Sequence, residues 1–244
     1  MRFTQNFNVR WHDTNANREI TPSAILTLMQ ETTNKHIQTM YPNLEYIRDE
    51  LHQAFILSKV YMRFYAPARA YDDITVETWT GEESRGFTFY RSFAVKKGDL
   101  LIADALTTWC LIDTVEKKLL PVSKFENNFI DIPSLKIDIP RKIKFPEAIE
   151  FIGKRRIVYS DIDYNLHMNN THYPNMLVDF LPRPENYRIS ELMISFIKGS
   201  IYNDEISVLR CQEDDVFYFK TLNSDGNTCL EAFVKTLPQD TEIK

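Results

Sequence analysis

The sequence predicts an α+β fold made of two related copies, each a long helix laid against antiparallel strands. Three observations predict it. Residues n and n+148 align without a gap from Asp13–Pro22 onto Asp161–Asn170. After the following helix the alignment resumes at an offset of 132. Between the halves, Pro121, Pro133, Pro140 and Pro146 punctuate a stretch with few long apolar runs, which suits an extended connector.

The elements follow from these alignments. Asp13 falls on Asp161 and Asn17 on Asn165, and both segments lead into a helix. Thr21 and Asn169 share the N-cap position, with Pro22 as the first helical residue of copy one. Ile25, Leu28 and Met29 then lie over Tyr173, Met176 and Leu177, the i, i+3, i+4 spacing of an amphipathic helix. At the second offset Phe64 matches Phe196, and Asp72-Asp73-Ile74-Thr75-Val76 matches Asp204-Glu205-Ile206-Ser207-Val208. Each copy ends in a strand pair: Phe87 to Val95 turning into Leu101 to Ile112, and Val216 to Leu222 turning at Asn223-Ser224-Asp225-Gly226 into Thr228 to Leu237. An alternating sheet has one apolar face to cover, and the long helix of each copy is the cover. The offsets differ by 16 (148 − 132), which assigns copy one an insertion mainly within Asn34 to Gln53. The expected division is an N-terminal domain over 1–130, a linker over 131–150 and a C-terminal domain over 151–244.

Composition narrows the function. A net charge of −5 argues against a general nucleic-acid or acidic-membrane binder, whose partners require a basic surface. Apolar runs fall far short of a membrane span, and Met1 to Arg10 lacks the apolar centre of a signal peptide, so a cytoplasmic location is expected. Cys110, Cys211 and Cys229 are odd in number and lack C-x-x-C spacing, which points to inert thiols in strands. Neither H-E-x-x-H, a Walker motif nor a dinucleotide glycine motif occurs, and no cofactor or metal is expected.

Chemistry concentrates in Tyr159–Tyr173, where carboxylates, amides and two imidazoles precede the second helix. In an extended lead-in Asp163, Asn165 and His167 alternate onto one side, and a helix N-terminus offers N–H groups to an oxyanion. Asp, Asn and Ser before a helix are most often caps, which is the plain reading of Asp161, Asn169 and Asn170. The repeat separates the triplet from that reading. Copy one has Asn15 where Asp163 stands and Glu19 where His167 stands, so one turn looks chemical and the other architectural.

The run Ser160-Asp161-Ile162-Asp163-Tyr164-Asn165-Leu166-His167-Met168-Asn169-Asn170-Thr171-His172-Tyr173 resembles the S-D-x-D-x-N-x-H-x-N-N-x-x-Y pattern of the acyl-acyl carrier protein thioesterases of plants and bacteria. The resemblance covers nearly the whole chain and implies a tandem, double hotdog: two copies of a long helix wrapped by a curved antiparallel sheet. It places catalysis on Asp163, Asn165 and His167, and the chemistry of these groups makes Asp163 the expected base or nucleophile, Asn165 the positioning or oxyanion donor and His167 the proton carrier. One position departs from the pattern. Plant members carry a Glu-Cys pair where this chain has Gly199-Ser200, which leaves water activation to the triplet or to another acid such as Glu191 or Asp161.

The resemblance implies hydrolysis of fatty acyl-acyl carrier protein, releasing free fatty acid, with an acyl-CoA thioesterase and a catalytically weak acyl-binding protein as the alternatives. The expected partner is an acidic carrier protein bearing the acyl chain, docked on Lys154-Arg155-Arg156 and Arg141-Lys142. A tandem chain can satisfy hotdog pairing internally, so a monomer or a homodimer is expected.

Overall fold

The computed structural model describes residues 2–126, 131–146 and 148–239. Copy one contributes β1 (Phe3–Asn8), α1 (Pro22–Gln38), α2 (Leu44–Asp49), β2 (Gln53–Phe64), β3 (Asp73–Thr80), β4 (Phe89–Lys97), β5 (Leu100–Asp113) and β6 (Lys118–Leu120). Copy two contributes β7 (Glu150–Arg156), α3 (Tyr173–Asp179), β8 (Tyr187–Phe196), β9 (Glu205–Glu213), β10 (Val216–Leu222) and β11 (Thr228–Pro238).

The strands form one antiparallel sheet ordered β1-β3-β4-β5-β2-β8-β11-β10-β9-β7, with β6 beside β5. Its two halves repeat one order in mirror sequence, meeting where β2 pairs with β8. Tyr61 lies opposite Met193 there, and 193 − 61 = 132, so each of these residues faces its own counterpart. The local two-fold axis relating the copies therefore passes through the centre of the sheet.

Helix α1 forms as its sequence dictates. Thr21 Oγ1 accepts a hydrogen bond from the Ala24 N–H at 3.1 Å, and Pro22 sits in the first turn, where its missing N–H costs nothing. Ile25, Leu26, Leu28 and Met29 are buried in a core shared with Met176 and Leu177 of α3 and with strands of both copies. The two helices are joined by a hydrogen bond from the Asn175 N–H to Ser23 Oγ at 2.9 Å.

The second helix departs from expectation in length. Helix α3 has 7 residues against 17 in α1, preceded by a single 3-10 turn over Asn170–His172. Pro182 and Pro184 follow, with Arg183 between them in the left-handed region at φ 52°, and a proline turns the preceding residue away from helix. The insertion in copy one is used differently. It extends α1, adds α2 and buries Ile37, Ile47, Leu111 and Phe125 in a second apolar cluster.

The connector is strapped across the sheet. The Ile132 N–H donates to Thr80 O (3.1 Å) and Trp79 Nε1 donates to Pro133 O (3.0 Å) on β3. The Leu135 N–H reaches Ser92 Oγ on β4, Lys59 Nζ on β2 donates to the carbonyls of Pro140 and Arg141, and Phe145 packs on Tyr218 of β10. Gly81 permits the crossing, because a Cβ there would stand 2.0 Å from Ser134 Oγ. Among the described residues no helix is long and apolar enough to cross a membrane.

Candidate active site

Asp163, Asn165 and His167 lie on a tight turn, not on an extended lead-in. The Leu166 N–H donates to Asp163 O (3.0 Å), the Asp163 N–H donates to His167 O (2.9 Å), and Leu166 takes the left-handed conformation at φ 64°. This is a tight turn of three residues, Tyr164 to Leu166, closed by a left-handed residue as in a three-residue hairpin loop. The alternation expected to put all three side chains on one side is therefore replaced by a fold-back.

The Asp163 carboxylate organises the turn. Oδ1 accepts the Asn165 N–H at 2.8 Å and Oδ2 accepts Asn165 Nδ2 at 3.4 Å, so Asp163 holds Asn165 by backbone and side chain together. His167 stands apart from this pair. Its imidazole is exposed and makes no hydrogen bond among the described residues, and its ring lies against Gly199. An added Cβ at Gly199 would be 2.3 Å from His167 Cδ2 and 2.9 Å from Cγ. An antiparallel bridge from His167 to Ile201, with the Met168 N–H donating to Ser200 O (2.8 Å), fixes the backbones on which this packing rests.

Asp161 supports the turn from below. Its Oδ2 accepts the Val158 N–H (3.0 Å) and its Oδ1 accepts Arg155 at 2.6 Å, with the carboxylate almost wholly buried. That removes it as a substitute for the absent second acid. Glu191 is also excluded, since Tyr61 and Lys235 engage it at the seam between the copies. The helix start does not offer the expected oxyanion donors: the Thr171 N–H goes to Asn169 Oδ1 (3.0 Å) and the His172 N–H to Asn169 O (3.0 Å). The cationic run ahead of the turn is likewise engaged at home, Lys154 with Glu205, Arg155 with Asp161 and Arg156 with Asn203.

One neighbour was not legible from the linear pattern. Cys229 on β11 is buried, and its carbonyl accepts the N–H groups of Ile197 and Lys198. Burial pushes its thiol up, and a raised thiol is a poor nucleophile. Nearby, the Tyr173 hydroxyl donates to buried Ser200 Oγ at 3.2 Å, closing the inner side of the site.

Copy one closes the same turn with the same backbone bonds, while its side-chain bonds differ: Asn15 Oδ1 also accepts the Glu19 N–H (3.1 Å), and Asn17 Nδ2 donates to Glu185 O and not to Asn15. The Arg18 N–H donates to Asn15 O and the Asn15 N–H to Glu19 O, both at 2.9 Å, with Arg18 at φ 62°. Asn15 Oδ1 accepts the Asn17 N–H at 2.9 Å, Asp13 accepts Arg10, and Glu19 bridges Arg69. The end groups differ. Glu19 is buried and paired with Arg188 at 2.5 Å, and Pro67 occupies the position of Gly199. A small cleft lined by Glu19, Pro67, Phe64, Val178 and Arg188 adjoins it.

Comparison with known proteins agrees with this architecture. A family model described as the acyl-ACP thioesterase N-terminal domain matches residues 1–132, and one described as the C-terminal domain matches residues 148–232. An oleoyl-acyl carrier protein thioesterase of Coriandrum sativum is 22% identical over 93% of this chain and 68% of its own length. A palmitoyl-acyl carrier protein thioesterase of Cuphea hookeriana is 22% identical over 78% of this chain and 49% of its own. Among solved structures, an acyl-ACP thioesterase from Bacteroides thetaiotaomicron superposes with a TM-score of 0.86 at 20% identity, covering 97% of this chain and 98% of that one. The 12:0-ACP thioesterase of Umbellularia californica gives 0.79 at 16% identity, covering 98% of both.

Proposed function

The chain belongs to the acyl-ACP thioesterase family, a double hotdog that hydrolyses the thioester joining a fatty acyl chain to acyl carrier protein, and we propose that Asp163, Asn165 and His167 carry that reaction. The observation that supports the assignment is the contrast at one framework position. Glu19 is locked in an ion pair, whereas His167 at the same position of the turn is exposed, unbonded among the described residues and seated on Gly199, two residues after an amide held by Asp163.

The chemistry runs as follows. His167 takes a proton from water as the oxygen attacks the thioester carbonyl carbon. Asn165, with one N–H held by Asp163, turns its remaining donor to the oxyanion as the tetrahedral intermediate forms. The C–S bond breaks, the imidazolium returns its proton to the departing thiolate, and free fatty acid and carrier thiol result. Asp163 is thus an orienting group, and the division of labour needs neither a second carboxylate nor a thiol.

The test is turnover of acyl-carrier substrate by Asp163→Asn and Asp163→Ala. The Asn variant keeps an oxygen to accept the Asn165 N–H, so it should lose less activity than the Ala variant, with acyl binding unchanged in both. Full activity in either would refute the assignment. Comparing matched acyl-CoA and acyl-carrier substrates measures the preference for the carrier.

The seam between β2 and β8 supplies within one chain the pairing that a single hotdog obtains from a second copy, which supports a monomer. The boundary between copies is placed in residues 131–150. A cytoplasmic setting belongs to the same proposal, supported by the thiols of Cys110 and Cys229, which stand outside any disulfide, since thiols stay reduced there.

A further inference from the structure

Around His167 the surface is unusually apolar. Tyr164 is 81% exposed, Leu166 72%, Ile201 54% and Tyr202 51%, and Tyr159, 81% exposed, packs edge-on against Tyr202 with ring centroids 6.1 Å apart. The bridge from His167 to Ile201 makes this collar continuous with the site. At the equivalent positions copy one has Ala16, Arg18, Arg69 and Ala70, on the same backbone framework. Fold geometry therefore does not demand exposed apolar groups at these four positions. Copy one does expose an aromatic pair, Trp11 and Tyr71, at the places of Tyr159 and Asn203, but the four positions around the turn tip carry large apolar groups only in the copy that holds His167.

Charge points the same way. The segments forming the collar, 156–160, 164–168 and 197–203, contain Arg156 and Lys198, and the carboxylates that flank them are engaged within the chain, Asp161 with Arg155, Asp163 with the Asn165 N–H, Asp204 with the Ser224 N–H and Glu205 with Lys154, in a chain whose net charge is −5. An acidic partner is repelled by the molecule as a whole and accepted here. We propose that this collar is the docking surface for the acyl carrier protein, with Tyr164, Ile201 and Tyr202 as apolar anchors and Lys198 as the cationic guide. The proposal rests on the activity above. A second copy of the chain is a poorer occupant, because a permanent cover would seal the turn through which every substrate must pass. The collar also replaces Lys154 and Arg155 as the expected landing site, since those two are paired with Glu205 and Asp161.

The test uses the full chain carrying Tyr164→Ala, Ile201→Arg and Tyr202→Ala together, so that three anchors take the residues of copy one. Initial rates are measured on an acyl-carrier substrate and on the same acyl group carried by free pantetheine. Expected is a rise of about tenfold or more in KM for the carrier substrate, with the pantetheine rate unchanged, as for loss of interface anchors. A second variant, Lys198→Glu, keeps the question open to measurement if the triple variant folds poorly; it should raise the carrier KM and flatten its dependence on salt. Equal losses on both substrates would overturn the proposal, as would no loss on either. Sedimentation showing a wild-type dimer that the triple variant dissolves would assign the collar to a second copy instead. Wild type inert on carrier substrate but active on acyl-pantetheine would sink the carrier activity itself, and the docking surface with it.

Discussion

The turn at Asn15–Glu19 and the turn at Asp163–His167 share their backbone hydrogen bonds, their left-handed residue and their supporting aspartate, yet they serve opposite ends. In copy one the last residue points into the protein and ties the turn to β8 through Arg188. In copy two it stays at the surface over a glycine. The lesson is that the framework determines where a side chain begins, while the residue opposite determines where it goes. Pro67 has a Cβ, and Gly199 leaves room for a ring.

That contrast gives its largest expected effect in catalysis. His167→Ala should lower turnover by roughly 10²–10⁴-fold, the usual loss when a positioned proton carrier is removed, with little change in melting temperature. Glu19→Ala should do the reverse. Removing one partner of a nearly buried pair strands the other charge and costs roughly 3–5 kcal/mol, so the melting temperature should drop sharply while the folded fraction keeps its turnover per molecule. Steady-state kinetics and thermal melts on both variants check this. Similar effects at the two positions would mean that the turns are not divided in the way described.

A smaller effect concerns Gly199, where the family resemblance and the geometry predict opposite signs. If the chain merely lacked an acid, Gly199→Glu would raise turnover. The packing says otherwise: any Cβ meets His167 Cδ2 at 2.3 Å, so the ring must swing away from its seat. Turnover should fall by about tenfold or more, since displacing a reacting group by about 1 Å can cost up to about 10²-fold. Gly199→Ala should fall in the same direction. Pro67→Ala in copy one should leave activity alone, because no reacting group rests on it. A rate above wild type in Gly199→Glu would overturn the seat.

How much of this was readable in the sequence follows from which interactions are local. The repeat was legible because the carboxylates of Asp13, Asp161 and Asp72 turn the chain through bonds to the N–H three residues before each, whereas Asp204 keeps only the backbone turn and its carboxylate accepts from Ser224. Helix α1 was legible from Thr21, Pro22 and its apolar spacing. The shortness of α3 was not read, although Pro182 signals it, because Phe180 and Leu181 prolong the apolar pattern past the helix end. The triplet was visible as a pattern, but its shape was misread as extended, since a leucine in the left-handed region leaves no mark that Gly or Asn would have left. The pairing of Glu19 with Arg188 and the seating of His167 on Gly199 depend on the sheet closing around the local axis, which no short window contains.

The smallest test probes the shared framework itself. Arg18 and Leu166 hold φ 62° and 64°, a region that costs an L-residue about 1–2 kcal/mol and a glycine almost nothing. Glycine gives back about 0.5–1 kcal/mol through the entropy of the unfolded chain, so Arg18→Gly and Leu166→Gly should each stabilise by at most about 1.5 kcal/mol. The sign should be the same in both, measured as the midpoint of denaturant unfolding with its slope unchanged. The strain belongs to the turn and not to the chemistry, so it should relax equally in the copy that holds an ion pair and in the copy that holds His167. A gain at Arg18 alone would mean that Leu166 is kept in its conformation by contacts that copy one lacks, and the two turns would then differ in their framework as well as in their end groups.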